Sequence, residues 1–355
     1  MDDEELLARR MHAQFGRPDP APAEVARTSG GVQAQDGPAA RLALRARGVA
    51  DPAAPARAAA AGEVVTLALM RGTLHLVPAA DARWLLGLFA ARNLAAGARR
   101  RRELGLTDEV CARALDLLPA LLDVPRSRAA LIGLLVARGV GVDPKGQAPA
   151  HLIGYASAHG VLCRGADLDA REPGYVPLPA GGPAPADPAA ELARRYLAAF
   201  GPAGPGDFAA WAGLPVTEAR RAVQAAAPEE VAPGLFAAAG SPAPPAGGPA
   251  VRLLGAYDGY LLGYRSRETM LAEPYARRVN AGGGVIRPAV VADGRVVGTW
   301  RREGGEPVVE PFGVLPRGVR AGLAEEVAAV AAYLAGAGAV PAGAPSQGRR
   351  AAGKG

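Results

Sequence analysis

Two proline- and glycine-rich spans, residues 179–188 (PAGGPAPADP) and 240–250 (GSPAPPAGGPA), divide this chain into segments that cannot be parts of one uninterrupted helical or sheet array. Proline has no amide hydrogen to give to a ladder, and glycine loses the most backbone entropy on ordering, so such spans connect elements rather than form them. Before the second span, apolar residues recur at helical spacing and are broken by short β-rich runs; after it the texture turns to strands.

Helices are expected over residues 4–14, 22–28 and from Pro38 to about Arg47, with a further start at Asp51-Pro52. The runs 64–70 and 73–77 meet at Arg71-Gly72 and predict a hairpin. Thr107 is placed to cap a helix whose Val110, Ala114, Leu117, Leu118 and Leu121 share a face; Ser127 caps the next and residues 147–159 form a third. Strands at 161–163 and 175–178 predict a second hairpin. Asp187-Pro188 starts a helix to Phe200, and residues 207–212 and 216–226, separated by Gly213, predict a helix-turn-helix. Strands follow at 251–254, 260–264, 285–291 and 295–300, with a hairpin turn at Asp293-Gly294, and then a helix over 320–334. The expected fold class is therefore mainly α with β: tandem winged-helix motifs followed by a C-terminal β-barrel domain. The units are expected at 1–95, 96–180 and 187–240, the barrel with its closing helix at 250–337, and a disordered tail at 338–355.

Charge and cysteine content narrow the function. Forty basic residues against 34 acidic ones give a net charge of +6 and favour an anionic partner such as nucleic acid. Only Lys145 and Lys354 are lysines. Two cysteines, Cys111 and Cys163, and four histidines without HExxH spacing predict no disulfide framework, no metal and no cofactor. No apolar run approaches a membrane span, and the acidic start MDDEELLARR is the reverse of a basic leader, so a cytoplasmic monomer, associated with the nucleoid when on DNA, is expected.

The string Gly31-Val32-Gln33-Ala34-Gln35-Asp36, followed by MRGTLHLVPAADARWLL from Met70, RYLAAFGPAGPGDFAAWAGL from Arg195, AYDGYLLGYRSR from Ala256 and DGRVVGTWR from Asp293, carries a resemblance over nearly the whole chain. The chain resembles the winged-helix DNA glycosylases of the AlkZ/YcaQ type, the helix-turn-helix 42 superfamily. Gln35, where the YcaQ-like branch has Asp, puts it on the Gln-x-Gln side. The resemblance implies that Gln33 and Gln35 are catalytic, holding the attacking water and the deoxyribose; taken alone they read as two polar side chains of a loop. It also implies an enzyme that excises N7-alkylguanine from double-stranded DNA, with bulky antibiotic adducts or interstrand crosslinks as substrates and self-resistance as a role; because Schiff-base chemistry needs an amine and the two lysines lie in a Pro/Gly-rich turn and in the tail, the enzyme is expected to be monofunctional, without lyase activity.

The chemistry suits that substrate class. A glutamine amide does not ionise and cannot serve as a general base, a contribution otherwise of about 10²–10⁴ in rate. An N7-alkylated guanine carries a positive charge and leaves without such help, so orienting a water and stabilising the sugar cation suffice. For DNA contact the candidates are Arg71, Thr73 and His75, expected on one face of the hairpin with Leu74 and Leu76 turned to the core. Arg71 suits a phosphate; His75, a lone histidine beside apolar residues, reads more readily as a hydrogen-bonded structural residue than as a DNA contact. Arg265 and Arg267, on one face of the strand at 260–264 and its extension, and Arg277 and Arg278, beside the loop 280–284, complete the set. Asp36 either assists electrostatically or ends the turn before Pro38, and Trp84 is expected in the core. The alternative function is a non-catalytic winged-helix transcriptional regulator, since fold does not decide function.

Overall fold

The computed structural model describes residues 1–16, 19–169, 172–244 and 250–338; the expected tail at 338–355 lies outside the described residues except for its first position. The chain opens with α1 (Asp3–Phe15), α2 (Pro22–Thr28), strand β1 (Val32–Gln33), α3 (Gly37–Ala46) and α4 (Ala54–Ala60). The hairpin β2 (Val64–Ala68) and β3 (Leu74–Pro78) leads into the long α5 (Ala82–Glu103). Three helices, α6 (Asp108–Leu117), α7 (Arg128–Ala137) and α8 (Ala148–Ala158), precede the hairpin β4 (Leu162–Asp167) and β5 (Pro173–Pro177). Then come α9 (Pro188–Phe200), α10 (Pro205–Ala212), α11 (Val216–Ala225) and the hairpin β6 (Glu229–Ala232) and β7 (Leu235–Ala237). The last part holds β8 (Val251–Leu254), the single turns α12 (Gly259–Leu262) and α13 (Ala276–Val279), β9 (Asn280–Gly282), β10 (Val285–Ile286), β11 (Ala289–Ala292), β12 (Arg295–Glu303), β13 (Glu306–Pro311) and α14 (Arg317–Gly338).

The helices start where side-chain oxygens take the free amides of the first turn. Asp36 accepts from Ala39 N at 2.8 Å, Thr107 from Val110 N, Ser127 from Ala130 N and Asp187 from Ala190 N at 3.0 Å. Pro38 and Pro188 sit in first turns, where a missing amide costs nothing. Asp36 is thus a helix cap. Trp84 is buried in the core as expected, its indole N–H on Asp81 at 2.9 Å.

Three expectations change. The first two hairpins do not stand apart: Thr66 of β2 pairs with Arg164 of β4, and the strands merge into one sheet of order β1-β3-β2-β4-β5. Each hairpin has an unpaired edge, and joining them satisfies both. The C-terminal strands form an open antiparallel sheet of order β13-β12-β11-β8 among the described residues, not a closed barrel. Four strands do not bring β13 round to β8, and α14 with α3 packs beside β8 instead. Residues 260–264 are also not a strand. Asp258 caps a helical turn there, accepting from Tyr260 N at 2.8 Å, and both Tyr260 and Leu261 are fully buried.

The largest core is shared by distant parts of the chain. Leu7 and Met11 of α1, Leu67 and Val77 of the first hairpin, Tyr196 and Phe200 of α9, Trp211 of α10, Tyr260 and Val291 all belong to it. Residues 106–175 keep a core of their own around Leu118, Leu131, Leu135 and Leu152. Three ion pairs stitch these parts together. Arg195 of α9 reaches Asp81 at 2.5 Å, Arg45 of α3 pairs with Glu326 of α14, and Arg47 holds Asp258 in a bidentate pair at 2.9 and 3.0 Å. The last is the most enclosed. Arg47 also donates to Ala43 O and to Gln14 Oε1, so the pair is hydrogen-bonded on every side.

Removing one partner of such a pair strands a buried charge, at a cost of about 3–5 kcal/mol. Asp258→Ala is therefore expected to lower unfolding stability in urea by that amount. Glu5→Ala, which breaks the exposed pair with Arg9, should change it little. Equal midpoints for the two variants would show that the Arg47–Asp258 pair does not hold the parts together.

Candidate active site

The Gln-x-Gln string is threaded along an edge strand by a pair of glycines. Gly30 ends α2 in the left-handed conformation (φ 66°), and a Cβ there would stand 2.9 Å from the Trp211 ring; one on Gly31 (φ 116°) would stand 3.2 Å from Val77. The chain can enter β1 this close to the hairpin only without side chains. β1 then pairs antiparallel with β3, placing Gln33 opposite His75. Ala34 N donates to Leu74 O at 2.7 Å, and Leu74 N donates to the side-chain oxygen of Gln35 at 3.2 Å. Asp36 starts α3 immediately afterwards.

Gln33 is half-buried and faces a recess that Arg71, His75, Arg47, Trp211 and Tyr257 also line. The recess holds about 20 Å³, the space of a single water molecule. Its floor is rigid: Trp211 packs among Tyr196, Phe200 and Phe208 with ring centroids 5.1 to 6.0 Å apart. Gln35 is exposed and does not line the recess.

Arg71 is not a free hairpin tip. It lies in a helical turn at φ 55°, and its guanidinium donates to Ala210 O at 3.3 Å, to Trp211 O and to Gln33 Oε1 at 3.3 Å. The carbonyls at the end of α10 carry the negative end of the helix dipole, a favourable seat for a cation. Gly213 permits the approach, since a Cβ there would stand 3.0 Å from Arg71 Cγ. Desolvation, then the charge of Arg267, draw the pKa of Arg71 below the arginine value. Thr73 spends its hydroxyl on Met70 O.

The hairpin alternates in the opposite phase to the expected one. His75 and Val77 are buried, at 2% and 0% exposure, whereas Leu74 and Leu76 are half-exposed. The turn at Arg71 and Gly72, both with positive φ, sets this register. His75 Nδ1 lies 2.9 Å from Thr73 O; a carbonyl only accepts, so Nδ1 carries the proton and Nε2 is left as an acceptor. Burial pushes the imidazole pKa down to about 4, so the ring is neutral at physiological pH.

The remaining arginines are elsewhere or spent. Arg267 lies in the segment after α12, half-buried, donating to Leu261 O, and its charge is felt at Arg71. Arg265 is exposed, with its backbone N on Asp207 at 3.0 Å. Neither is on a strand, because residues 260–264 are helical turn and bend. Arg277 and Arg278 are exposed on α13 ahead of the β9–β10 hairpin, with Arg278 over the Phe312 ring at 4.6 Å. No hydrogen bond joins Arg265, Arg277 or Arg278 to Gln33 or Gln35 among those described. The run Arg99–Arg102 is the end of α5, with Arg99 and Arg100 paired to Glu103. Arg47, Trp211 and Tyr257 were not singled out from the sequence as site residues, although Trp211 and Tyr257 lie within RYLAAFGPAGPGDFAAWAGL and AYDGYLLGYRSR; they reach the recess from three distant segments.

Comparison with known proteins gives a consistent picture. A family model described as "DNA glycosylase AlkZ-like" matches residues 26–333. The "Interstrand DNA cross-link repair glycosylase" of Streptomyces sahachiroi is 31% identical over 353 residues, covering 87% of this chain and 90% of that protein. The solved structure of Streptomyces sahachiroi DNA glycosylase AlkZ aligns with a TM-score of 0.77 at 27% identity, covering 95% of this chain and 97% of that one.

The depressed pKa of His75 has a definite pH consequence. Between about pH 6.5 and pH 4 the unfolded chain binds a proton that the folded chain refuses, so stability is present above this window and lost as pH falls through it. The loss between pH 7 and pH 5 is about 2 kcal/mol. Urea unfolding at the two pH values should show this difference in the wild type and a reduced one in His75→Gln. An unchanged slope in the variant would mean that His75 is not the titrating group.

Proposed function

The chain belongs to the AlkZ-like DNA glycosylase family, and from that membership we propose that it hydrolyses the N-glycosidic bond of N7-alkylated guanine in duplex DNA, leaving an abasic site. The observation that carries the reading is the water-sized recess beside Gln33. Gln33 and the unprotonated Nε2 of His75 serve as acceptors that orient one water, while Arg71 fixes the Gln33 amide through its bond at 3.3 Å. Gln35, exposed beside the recess, contacts the deoxyribose.

None of these groups is a strong base at neutral pH, and none needs to be. The bond from C1′ to N9 breaks with its electron pair going to the purine, which cancels the positive charge that alkylation placed there. The water oxygen bonds to C1′, and its proton passes to solvent. Neutral guanine lacks this electron sink and is spared. The acceptors' dipoles stabilise the sugar cation.

A recess of about 20 Å³ does not admit a purine. The target base therefore stays outside it, and the enzyme reaches the glycosidic bond from an open face. That mode suits bulky adducts and interstrand crosslinks, which resist extrusion, and agrees with the activity named for the Streptomyces sahachiroi relative. In this reading the helix-and-hairpin units at 1–95, 96–180 and 187–240 are winged helices, 250–337 is a sheet unit docked on them, and the enzyme acts as a cytoplasmic monomer. Arg265, Arg267, Arg277 and Arg278 contact the DNA backbone. Among the described residues no helix is long and apolar enough to cross a membrane.

Single-turnover base release from DNA with defined N7-guanine lesions tests the site. Gln33→Ala and Gln35→Ala should each slow release at least about tenfold, the low end of what positioning supplies, with DNA affinity little changed. A double variant that excises at the wild-type rate rules the site out.

Strand cleavage through a Schiff base needs an amine. Lys145 is exposed in the loop between α7 and α8, Lys354 lies outside the described residues, and neither belongs to the recess. Borohydride is expected to trap no protein–DNA adduct while free base accumulates. Trapping that vanishes in Lys145→Ala would replace the water mechanism.

A further inference from the structure

The two glutamines beside the recess are not placed alike. Gln33 lies in β1, opposite His75. By Gln35 the chain has left β1, and the side chain takes the next rung of the ladder in place of the backbone. Leu74 N donates to Gln35 Oε1 at 3.2 Å, next to the bond from Ala34 N to Leu74 O at 2.7 Å. A backbone N–H must face the oxygen of a carboxamide and not its nitrogen, so this bond fixes which way the Gln35 amide is turned. Its oxygen is directed at the strand. Its NH2 group, turned away from that bond, has no hydrogen-bond partner among the described residues, and the residue is exposed. What Gln35 has free to offer is therefore a pair of donors, whereas Gln33 and His75 offer acceptors.

The nucleotide limits where such donors can act. The ring oxygen of the sugar accepts, but a donor there would withdraw the lone pair that steadies the cation at C1′. The purine lies on the far side of C1′ from the attacking water, and so from Gln33. The phosphodiester oxygens remain; they are charged, and a hydrogen bond to them is the strongest on offer. The spacing agrees. Two residues of extended chain span at most about 7 Å, enough to reach from a water held by Gln33 at C1′ to the phosphate of the same nucleotide. The turn from Gln35 to Pro38 is exposed throughout. Its carboxylate, on Asp36, is turned back onto Ala39 N at 2.8 Å. The Arg41 guanidinium lies against Gly37, where a Cβ would stand 3.9 Å from Nη1, and brings positive charge to the same turn.

We propose that Gln35 acts as a donor: its NH2 group, oriented by the bond from Leu74 N, binds a non-bridging oxygen of the phosphodiester on the target deoxyribose and holds C1′ against the water on Gln33. The inference rests on the glycosylase reading and divides the work of its two glutamines. Gln33 aims the water; Gln35 anchors the nucleotide at its phosphate. The contact requires no base to leave the stack, because the phosphates run along the outside of the duplex.

The test uses the full-length protein in single-turnover base release from duplexes of one sequence carrying N7-methylguanine. One duplex has phosphodiesters throughout. Two others carry a methylphosphonate, uncharged and short of one oxygen, at the phosphate 5′ or 3′ to the lesion. Wild-type release should slow about tenfold to hundredfold at one of these positions, the span of a hydrogen bond to a charged group. Gln35→Ala should lose little further there, because the bond is already gone. Gln35→Glu keeps an oxygen for Leu74 N and replaces the donors by a charge of the phosphate's own sign. On the phosphodiester duplex it should be at least as slow as Gln35→Ala, and at the sensitive position it should gain rate where the wild type loses it. Gln35→Glu at or above the wild-type rate would assign the side chain to the water and overturn the proposal. So would a wild type indifferent to both methylphosphonates, or equal losses in the wild type and Gln35→Ala. Each of these leaves the glycosylase reading standing. A wild type that releases no base from any of the three duplexes overturns that reading, and the proposal with it.

Discussion

Arg47 and Asp258 lie 211 positions apart, and their buried pair is the contact on which the rest of the arrangement depends. A buried charge is tolerable only when its partner and its remaining hydrogen bonds are in place. Both conditions are met here by three groups, Ala43 on α3, Gln14 on α1 and Tyr260 on α12, together with the two charged residues themselves. The pair therefore joins the N-terminal helices to the C-terminal strands at the edge of the recess. Arg195–Asp81 does the same between α9 and α5, and Arg45–Glu326 between α3 and α14. Among the described residues no buried side-chain nitrogen or oxygen lacks a partner. Charges that the sequence presents as a basic surface are in part the fasteners of the interior.

The recess offers no strong base. It holds an amide, a neutral imidazole, Arg47 paired to Asp258, and Arg71, whose donors are directed at carbonyls and at that amide. Chemistry at such a site must draw its driving force from the substrate. This is why a cationic leaving group and a dipolar, non-ionising site belong together in the proposed mechanism, and why stronger bases are not required.

Much of the local structure was legible before any coordinates. Thr107, Ser127, Asp187 and Asp36 are caps because capping depends on a side chain and an amide three residues away. The hairpin at Arg71-Gly72 and the helix-turn-helix around Gly213 were readable for the same reason. The β6–β7 hairpin was missed although Pro233-Gly234 marks its turn. The turn at 259–262 was misread because Tyr260 and Tyr264 favour strands, while the local cap supplied by Asp258 favours a helix once Arg47 has fixed that carboxylate. The phase of β3 was misread because alternation alone does not say which face is inside. Membership in the DNA glycosylase family, by contrast, was legible in short strings spread along the chain.

The sequence by itself determined the helices with their caps, the positions of the hairpin turns, the family and the residue types available for chemistry, because each rests on neighbours in the chain or on matching motifs. The tertiary structure alone decided the joining of two hairpins into one sheet, the open form of the C-terminal sheet, the burial of His75 and the convergence of Gln33, Arg47, Trp211 and Tyr257 on one recess. Those depend on contacts between residues far apart in sequence. Their free energy comes from pairing exposed edges, burying shared apolar surface and satisfying buried charge, and none of these terms exists until the distant segments meet.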